Sequence, residues 1–555
     1  MDTAELTQPS TQQVLDPRRL GRNNSGLTAD DISNVMLILH PTTPAAFRVV
    51  QTTAARKPEH VLQNETFSTF RAFQEPENIE EAETFILDPN QREQSTRLGQ
   101  AHDLALRFDS RTVQPVLGFC FGRNENTSDV VFSVDTAKRI SNLHFRIYAN
   151  NAGVIMIHDL STNGTLVDGV HLKGKNPGSP STRMLNHGTT ISILSPRNDE
   201  SISFIVRFPA REGFEDAYAR NFGAYIARMA LVQDQQAVRQ GRQKPAFGRG
   251  LPAPAAHGAL PKPSIMAHNN TFGMHWNGGE QYNVIGLLGK GAFATVYKLA
   301  TAMDGNLLAA KELDKKRFIK NGQLDQRLDN EMQIMKALRH PNIVQYIDYH
   351  DVQNHLYIIM EYVHYGDLQG HLATNGPLRE PDAKLMTRQI LRSLAYLHRK
   401  DITHRDIKPD NILIASLNPF IVKLSDFGLS KVVKNNETFL KTFCGTLLYC
   451  APEVFPHYDS QQDKKGVKRR RGSHRHFHSY SQSVDIWSFA AVLWYALCGS
   501  PPFEGVVDAT GRGMFDKIMG TTLNTAPLRA LGVSAEAIDL LQKMHQELVT
   551  ELYLA

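Results

Sequence analysis

The chain has 555 residues, of which 41% are hydrophobic and 21% charged. It can therefore bury the cores of about two to four domains. Most of its formal net charge of +5 is local, because residues 464–475 hold seven Lys or Arg and no acidic residue, and the rest of the chain carries −2. This pattern excludes a protein covered with nucleic-acid-binding surface, and we expect no specific nucleic-acid binding.

The cysteine content argues for a reducing, intracellular compartment. There is neither a disulfide framework nor a metal-binding Cys-x-x-Cys pair among the four cysteines, which are Cys120, Cys444, Cys450 and Cys498. The N-terminus is polar without the apolar core of a signal peptide, and no run reaches the roughly 18 apolar residues of a membrane span. We expect a soluble chain with no membrane partner.

The first 208 residues divide into two regions of different composition. Residues 1–100 are rich in Gln, Thr, Asn, Pro and Glu without a sustained hydrophobic period, which predicts a mostly disordered region. Residues 104–208 contain short β-branched and aromatic runs, such as FCFGR, HFRIYA and SISFIVRF, separated by Asn, Gly, Ser and Pro. Regularly spaced short strands of this kind predict an all-β sandwich.

Three further segments follow the predicted sandwich. Residues 213–241 predict a helical extension, because apolar side chains recur there at helical spacing, notably Tyr218, Phe222, Ile226 and Met229. Residues 242–275 are rich in Pro, Ala and Gly and predict a flexible linker. From about Tyr282 onward, strand-like segments come first and helix-like segments later, which predicts a two-lobed α+β fold.

A glycine-rich segment, Gly289-Lys-Gly-Ala-Phe-Ala-Thr-Val296, lies between two apolar runs. A dinucleotide-binding loop would open a helix, whereas β-prone residues continue on both sides here, as in a hairpin folded over phosphates. The loop alone is weak evidence, but an ordered series of motifs follows it: Lys311, Glu331, His404-Arg405-Asp406 with Lys408 and Asn411, Asp426-Phe427-Gly428, and Ala451-Pro452-Glu453. This series resembles the eukaryotic protein kinase family over residues 282–555.

The resemblance implies a role for each matched residue in transferring phosphate from ATP. Phosphoryl transfer depends mainly on alignment and on neutralising the charge that builds on the transferred oxygens. Asp406 would orient the acceptor hydroxyl and receive its proton, and Lys408 would stabilise the γ-phosphate. Lys311, paired with Glu331, would hold the α- and β-phosphates.

The resemblance also implies a nucleotide pocket and a metal site. Asn411 and Asp426 would hold two Mg²⁺ ions, which prefer oxygen ligands. The residues implied in ATP binding are Leu288, Gly289, Gly291, Val296, Ala309, Lys311, Met360, Glu361, Val363 and Leu413. Plain core packing is the alternative reading of the apolar members of this set.

The form HRDIKPDN resembles serine/threonine kinases rather than tyrosine kinases. An Arg beside the catalytic Asp, here Arg405, implies control by phosphorylation of the activation segment, because it would pair with the added phosphate. The candidate phosphorylation sites in this segment are Thr438 and Thr442.

The β-rich region contains motifs that resemble forkhead-associated (FHA) domains over residues 104–208. These are Gly122-Arg123, Ser141-Asn142-Leu-His144 and Asp159-Leu-Ser-Thr162-Asn163-Gly-Thr165. The resemblance implies that phosphothreonine is bound by Arg123, Ser141, Asn142, Thr162 and Asn163, with His144 in a structural role. The alternative is that Arg123 is a solvated loop cation and that STNG is simply a turn.

An FHA domain ahead of a serine/threonine kinase resembles the DNA-damage and replication checkpoint kinases, especially the fungal ones. The family implies a nuclear location, with the cytoplasm as a second compartment, and an upstream kinase directed to Ser/Thr-Gln sites. Thr7-Gln8 and Thr11-Gln12 are candidate sites of this type. We expect phosphorylated Thr7 or Thr11 to dock on the FHA domain of a second copy, although the docked partner could equally be an adaptor. A meiotic FHA kinase is an alternative assignment.

Two segments depart from the kinase pattern. The insertion at about 457–480 contains KKGVKRRRGSHR, which fits a nuclear-localisation patch, a docking site for acidic substrate or DNA backbone, or a solvated insertion. At the end, LLQKMHQELVTELYLA lacks the Asp-Pro and the Arg that would pair with Glu453. We therefore expect a weakened C-lobe or a truncated sequence, and a catalytically impaired phosphothreonine-binding scaffold is the competing reading. The presence of Lys311, Glu331, Asp406, Asn411 and Asp426 favours an active kinase.

Overall fold

The computed structural model describes residues 24, 27–63, 102–132, 139–174, 179–197, 200–239, 272–291, 294–320, 323–324, 332, 335–426, 446–455, 482–503 and 511–545. Among these residues, no helix has both the length and the apolar character needed to cross a membrane. The α-helices are α1 (Ala29–Asn34), α2 (Pro44–Arg56), α3 (Glu215–Arg239), α4 (Leu368–Asn375), α5 (Glu380–His398), α6 (Ser483–Cys498), α7 (Arg512–Gly520), α8 (Ala526–Ala530) and α9 (Ala535–Met544).

Most of the strands fall in two groups along the chain. The first group is β1 (Val35–Pro41), β2 (Val61–Gln63), β3 (His102–Arg107), β4 (Phe119–Gly122), β5 (Val130–Val131), β6 (Phe145–Ala149), β7 (Ile155–Asp159), β8 (Thr165–Val167), β9 (Val170–Leu172), β10 (Thr182–Met184), β11 (Thr190–Ile193) and β12 (Ile202–Arg207). The second is β13 (Tyr282–Lys290), β14 (Ala294–Thr301), β15 (Leu307–Asp314), β16 (Ile319–Lys320), β17 (Gln323–Leu324), β18 (Tyr346–Val352), β19 (His355–Glu361), β20 (Ile412–Leu417) and β21 (Phe420–Leu424).

The first group of strands forms a sandwich of two sheets, which confirms the predicted fold. One sheet has the order β2-β3-β1-β12-β11-β8-β9 and the other the order β10-β7-β6-β4-β5. Buried and half-buried residues alternate along β6 and β12, as expected for strands with one face on a core. Between the sheets, Phe121 stacks on Phe145 with ring centroids 4.6 Å apart.

The sandwich begins earlier than its composition predicts. Within residues 1–100, the described part contains α1, β1, α2 and β2, where we predicted mostly disordered chain. Strand β1 lies between β3 and β12, so that Ile38 is opposite both Ala105 and Arg207. Its apolar run is short and its partners are far along the chain, so local periodicity carries no signal for the pairing. Thr7 and Thr11 lie outside the described residues.

Helix α3 packs against the sandwich, in the segment where apolar spacing predicts a helix. Tyr218 and Phe222 are buried, and their rings lie 5.3 and 5.9 Å from that of Phe108. Arg211, just before the helix, stacks its guanidinium 3.7 Å from the Tyr218 ring centroid and donates a 2.7 Å hydrogen bond to the Val35 carbonyl. These contacts attach the helix to strand β1.

The C-terminal part has the sheet and helices of a two-lobed α+β fold, as predicted. Its five-stranded sheet has the order β13-β14-β15-β19-β18. Helix α6 is apolar and largely buried, and it belongs to a core that also includes α5 and the hairpin β20-β21. A helix with apolar residues all round must lie inside a domain, so α6 forms the centre of the helical lobe.

Candidate active site and phosphopeptide site

A predicted catalytic lysine and a predicted metal ligand contact each other directly. Lys311 on β15 lies with its Nζ 2.7 Å from Oδ1 of Asp426, which follows β21. Enclosure by protein opposes ionisation of the Asp426 carboxyl, but the positive charge of Lys311 outweighs this and holds its pKa below the ordinary value. The carboxylate is therefore ionised at neutral pH and suited to bind cations.

A second cluster surrounds Asp406. Lys408 places its Nζ 3.2 Å from Asp406 Oδ2. The Asn411 side-chain amide donates to the same oxygen at 3.0 Å and to the Asp406 carbonyl at 2.7 Å. The motif His-Arg-Asp-x-Lys-x-x-Asn thus brings a carboxylate, an ammonium group and an amide into direct contact.

A buried aspartate holds the loop that carries this cluster. Asp485 in α6 is 0% exposed. Its carboxylate accepts 2.8 Å hydrogen bonds from the backbone amides of His404 and Arg405 and from His398 Nε2. Arg405 has a φ of 66°, and this left-handed conformation is costly for a non-glycine residue unless its surroundings enforce it.

His404 links this loop to the segment before Asp426. Its Nε2 lies 2.8 Å from the Ser425 carbonyl, and its Nδ1 lies 3.3 Å from the Asp406 amide. The carbonyl requires a proton on Nε2, so the network assigns the neutral ring with Nδ1 as acceptor. Sequence analysis did not assign roles to Asp485 and His404, and an acidic residue in an otherwise apolar helix was the available signal.

Most predicted ATP-binding residues lie on strands of the C-terminal part, and Gly291 and Val363 follow β13 and β19. Ala309 is opposite Met360 in the β15-β19 pairing, and both Ala309 and Val363 are buried. The Gly291 amide donates to the Ala294 carbonyl at 2.8 Å. The other predicted ATP-binding residues on these strands are half-buried or exposed, namely Leu288, Gly289, Val296, Glu361 and Leu413. Glu331, Thr438 and Thr442 lie outside the described residues, so their roles stay predictions.

In the sandwich, the predicted phosphate-binding residues come from three neighbouring loops. Arg123 follows β4 and donates from Nη2 to Asn142 Oδ1 at 3.3 Å. The Thr162 amide donates to Ser141 Oγ at 3.2 Å. Asn163 donates from its side chain to the Arg139 carbonyl at 2.8 Å. Arg123, Asn142, Thr162 and Asn163 are exposed, so their polar groups are available to a ligand.

Buried polar groups support these loops from beneath. His144 is 0% exposed, accepts from the Ser141 amide at 3.1 Å and contacts the Gly164 carbonyl at 3.3 Å. Asp159 accepts from the hydroxyls of Ser161 and Thr165 at 2.9 and 2.7 Å. Gly122 must be glycine, because a Cβ there would lie 2.2 Å from the Asn142 carbonyl oxygen.

A small cavity of about 110 Å³ opens beside Asn163. It is lined by polar and apolar groups, among them Arg139, Leu166, His171 and Leu194. Sequence analysis did not single out Arg139 and His171, although Arg139 lies two residues before Ser141, the first residue of the Ser-Asn-Leu-His motif.

Comparisons with known proteins agree with both sites. The protein kinase domain family matches residues 282–551, and the FHA domain family matches residues 119–194. The serine/threonine-protein kinase Cds1 of Schizosaccharomyces pombe is 31% identical over 434 residues, which cover 76% of each chain. The chain belongs to the FHA-domain serine/threonine protein kinases.

A second relative is much longer than the region that matches this chain. The serine/threonine-protein kinase Rad53 of Saccharomyces cerevisiae is 30% identical over 439 residues, which are 79% of this chain and 48% of Rad53. This kinase thus spans about half the length of Rad53. A crystal structure of Rad53 residues 1–466 with AMP-PNP has 25% sequence identity and a TM-score of 0.45, covering 79% of this chain and 90% of that one.

Proposed function

We propose that this kinase transfers the γ-phosphate of ATP to serine or threonine in other proteins, in DNA-damage or replication checkpoint signalling. The observation that carries the proposal is the contact of Asp406 with both Lys408 and Asn411, near the pair Lys311–Asp426. The membership of Cds1 and Rad53 in the same family supports the checkpoint role.

In the proposed reaction, the acceptor hydroxyl oxygen attacks the γ-phosphorus, and the bond between the γ-phosphorus and the β–γ bridging oxygen breaks. The hydroxyl proton passes to Asp406, and ADP leaves with the bridging oxygen. Lys408, 3.2 Å from Asp406 Oδ2, neutralises charge on the transferred group. Lys311 holds the α- and β-phosphates.

The metal site rests on the chemistry of its donors. Asn411 and the ionised Asp426 both supply oxygen atoms, which suit Mg²⁺, and we assign them as the ligands of two ions. When bound, the metal neutralises the β- and γ-phosphate oxygens.

The FHA domain would select where this activity is used. A phosphate dianion needs a guanidinium with hydroxyl and amide donors, and Arg123, Ser141, Asn142 and Thr162 supply them from adjacent loops. Asn163 would hold the peptide backbone beside the cavity.

We infer a trans interaction as the route to activation. An upstream Ser/Thr-Gln-directed kinase would phosphorylate Thr7 or Thr11, which would dock on the FHA domain of a second copy, and the raised local concentration would promote phosphorylation of Thr438 and Thr442. The Thr7→Ala/Thr11→Ala double variant should not dimerise after DNA damage. Normal dimerisation and activation of this variant would overturn this route.

We also propose that the protein is located in the nucleus, and imaging of the tagged chain tests this location.

The decisive experiment measures γ-phosphate transfer by the purified chain to a degenerate Ser/Thr peptide. Asp406→Asn should lower kcat by about 10³-fold, since general-base residues contribute on that scale. Asp410→Asn is the matched control, because it makes the same change at an exposed position of the same turn. Absence of activity in the unaltered chain would favour the scaffold alternative.

A further inference from the structure

Helix α2, which composition did not predict, ends beside the loop that follows Arg123. Its last residue, Arg56, places Nη2 3.1 Å from Glu125 Oε2. The next residue, Lys57, places Nζ 2.9 Å from Asp129 Oδ1. The two contacts therefore reach both ends of the short loop at residues 124–128.

The two ion pairs differ in burial. Arg56 and Glu125 have side chains 37% and 68% exposed, and surface pairs of this kind contribute little. The Asp129 side chain is 0% exposed, and Lys57 is 25% exposed. A buried carboxylate is costly unless it is paired and hydrogen-bonded, so Lys57 provides a charge that Asp129 needs.

Asp129 joins this helix to β4, the strand that ends just before Arg123. Its carboxylate accepts from the Val113 amide at 2.8 Å and from the Cys120 amide at 2.9 Å. Its own amide donates to the Cys120 carbonyl at 2.7 Å. Cys120 lies in β4, which pairs in parallel with β5 directly after Asp129. A shift of Asp129 would therefore move the end of β4 and Arg123 with it.

The loop between Arg123 and Asp129 also packs on a phosphate-site residue. The carbonyl of Asn142 accepts from the Asn124 amide at 3.1 Å and from Ser128 Oγ at 3.2 Å. The Asn142 side chain in turn accepts from Arg123. The loop thus sets the relative position of two groups that would contact the phosphate.

We propose that Lys57 is a positioning residue of the phosphothreonine site, acting on Arg123 through Asp129 and the loop at residues 124–128. This inference rests on the proposed binding of phosphothreonine by the FHA domain. Lys57 need not touch the ligand. Helix α2 then has a function beyond covering the core, because its C-terminal end sets the geometry of the phosphate-binding arginine.

The test measures affinity of the full chain for a phosphothreonine peptide that the unaltered chain selects from a degenerate library. Lys57→Met should weaken binding about tenfold, the scale of one charge-assisted hydrogen bond. Lys57→Arg keeps the charge and should restore affinity to within about twofold. Arg56→Gln, the control at the exposed pair, should change affinity by less than about twofold.

A double-mutant cycle separates positioning from a general loss of structure. If Lys57 acts through Arg123, Lys57→Met should have little further effect in an Arg123→Lys background. An equal effect in both backgrounds would overturn the inference. If Lys57→Met fails to fold, the Lys57→Met/Asp129→Asn variant, which removes both charges, takes its place in the cycle.

Two outcomes separate this inference from the function on which it rests. If the unaltered chain selects no phosphothreonine peptide, the proposed function of the FHA domain fails. If the unaltered chain binds and Lys57→Met binds equally well, only the role of Lys57 is overturned.

Discussion

The phosphothreonine-binding loops and the catalytic loop each depend on one fully buried aspartate, but the two aspartates collect their donors over different distances along the chain. Asp159 accepts from Ser161, Thr165 and Gly174, which follow it by 2, 6 and 15 residues. Asp485 accepts from the amides of His404 and Arg405, which precede it by 81 and 80 residues.

The hydrogen bonds of Asp159 are therefore mainly local in sequence, whereas those of Asp485 to the catalytic loop are long-range. The donors of Asp159 lie mainly within one short motif, so most contacts that hold this loop are local in sequence, although its flanking strands β7 and β8 belong to different sheets. The donors of Asp485 meet it only after α6 has packed into the helical lobe. We therefore expect the catalytic loop to be more sensitive to changes in its buried aspartate than the FHA loops are.

Of the two buried aspartates, Asp485 has the larger expected effect when it is changed to asparagine. An amide can accept with one oxygen, but its NH₂ group would face a backbone N–H that now lacks an acceptor, which costs about 3 kcal/mol. Asp406 would lose its fixed position, and kcat should fall by about 100-fold. Steady-state kinetics and urea unfolding check both effects. Unchanged kcat would show that the loop holds its geometry without this carboxylate.

Asp159→Asn should have a smaller effect, because the amide oxygen can still accept from the Gly174 amide while the NH₂ group faces the Ser161 and Thr165 hydroxyls, which can rotate to accept from it. We expect a loss of about 2 kcal/mol in the stability of the FHA domain and weaker phosphothreonine binding. Asp168→Asn is the matched control, since Asp168 lies in an exposed turn with a φ of 48°, where asparagine is tolerated. Equal losses of stability in the Asp159→Asn and Asp168→Asn variants would show that burial of the aspartate does not determine the size of the effect.

The same contrast explains what could be predicted from the sequence. The residues of the FHA loops and of the catalytic motifs are contiguous or nearly so, and the structure places Arg123 near Asn142 and Lys408 near Asp406. Asp485 escaped assignment because its importance arises only from burial against a distant loop. An aspartate at the start of a helix is otherwise an ordinary capping residue.

The N-terminal elements were missed for the same physical reason. Strand β1 is specified by pairing with β3 and β12, and α2 by burial of Ala46, Val49 and Val50 against the sandwich. Their short apolar runs lie among polar residues whose composition resembles disorder. Local composition could not reveal that these runs complete a core formed by later residues. The Lys57–Asp129 ion pair was not predicted for the same reason.

The half-buried carboxylate of Glu380, in the helical lobe, can be compared with the fully buried carboxylates of Asp159 and Asp485. Ser534 caps helix α9 by accepting from the Ala537 amide at 3.3 Å, and its hydroxyl donates to Glu380 Oε1 at 2.6 Å. Ser534→Ala should cost about 1 kcal/mol, the usual value for a lost N-cap. Ser534→Thr should retain most of the stability. Urea unfolding followed by fluorescence of Trp487 and Trp494 reports on this lobe, and equal midpoints for Ala and Thr would contradict the capping role.

The smallest expected effect is the pH dependence of this site. Hydrogen bonds from the Ser534 hydroxyl and amide, and then from Lys384, hold the pKa of Glu380 at about 2, below its ordinary 4.5. The unfolded chain therefore binds this proton more readily than the folded chain, so the contacts stabilise the fold above about pH 4.5 and this stabilisation is lost as the pH falls toward 2.

Glu380→Gln should remove this part of the acid sensitivity. Because the Glu380 side chain is 21% exposed, solvent screening limits the effect to under about 1 kcal/mol. The difference in unfolding midpoint between Glu380→Gln and the unaltered chain should therefore shrink from pH 6 to pH 3. Ser534→Ala, which removes the hydroxyl that donates to Glu380, should show part of the same change. A difference that stays constant with pH would mean that the contact is structural and that the charge of Glu380 contributes nothing.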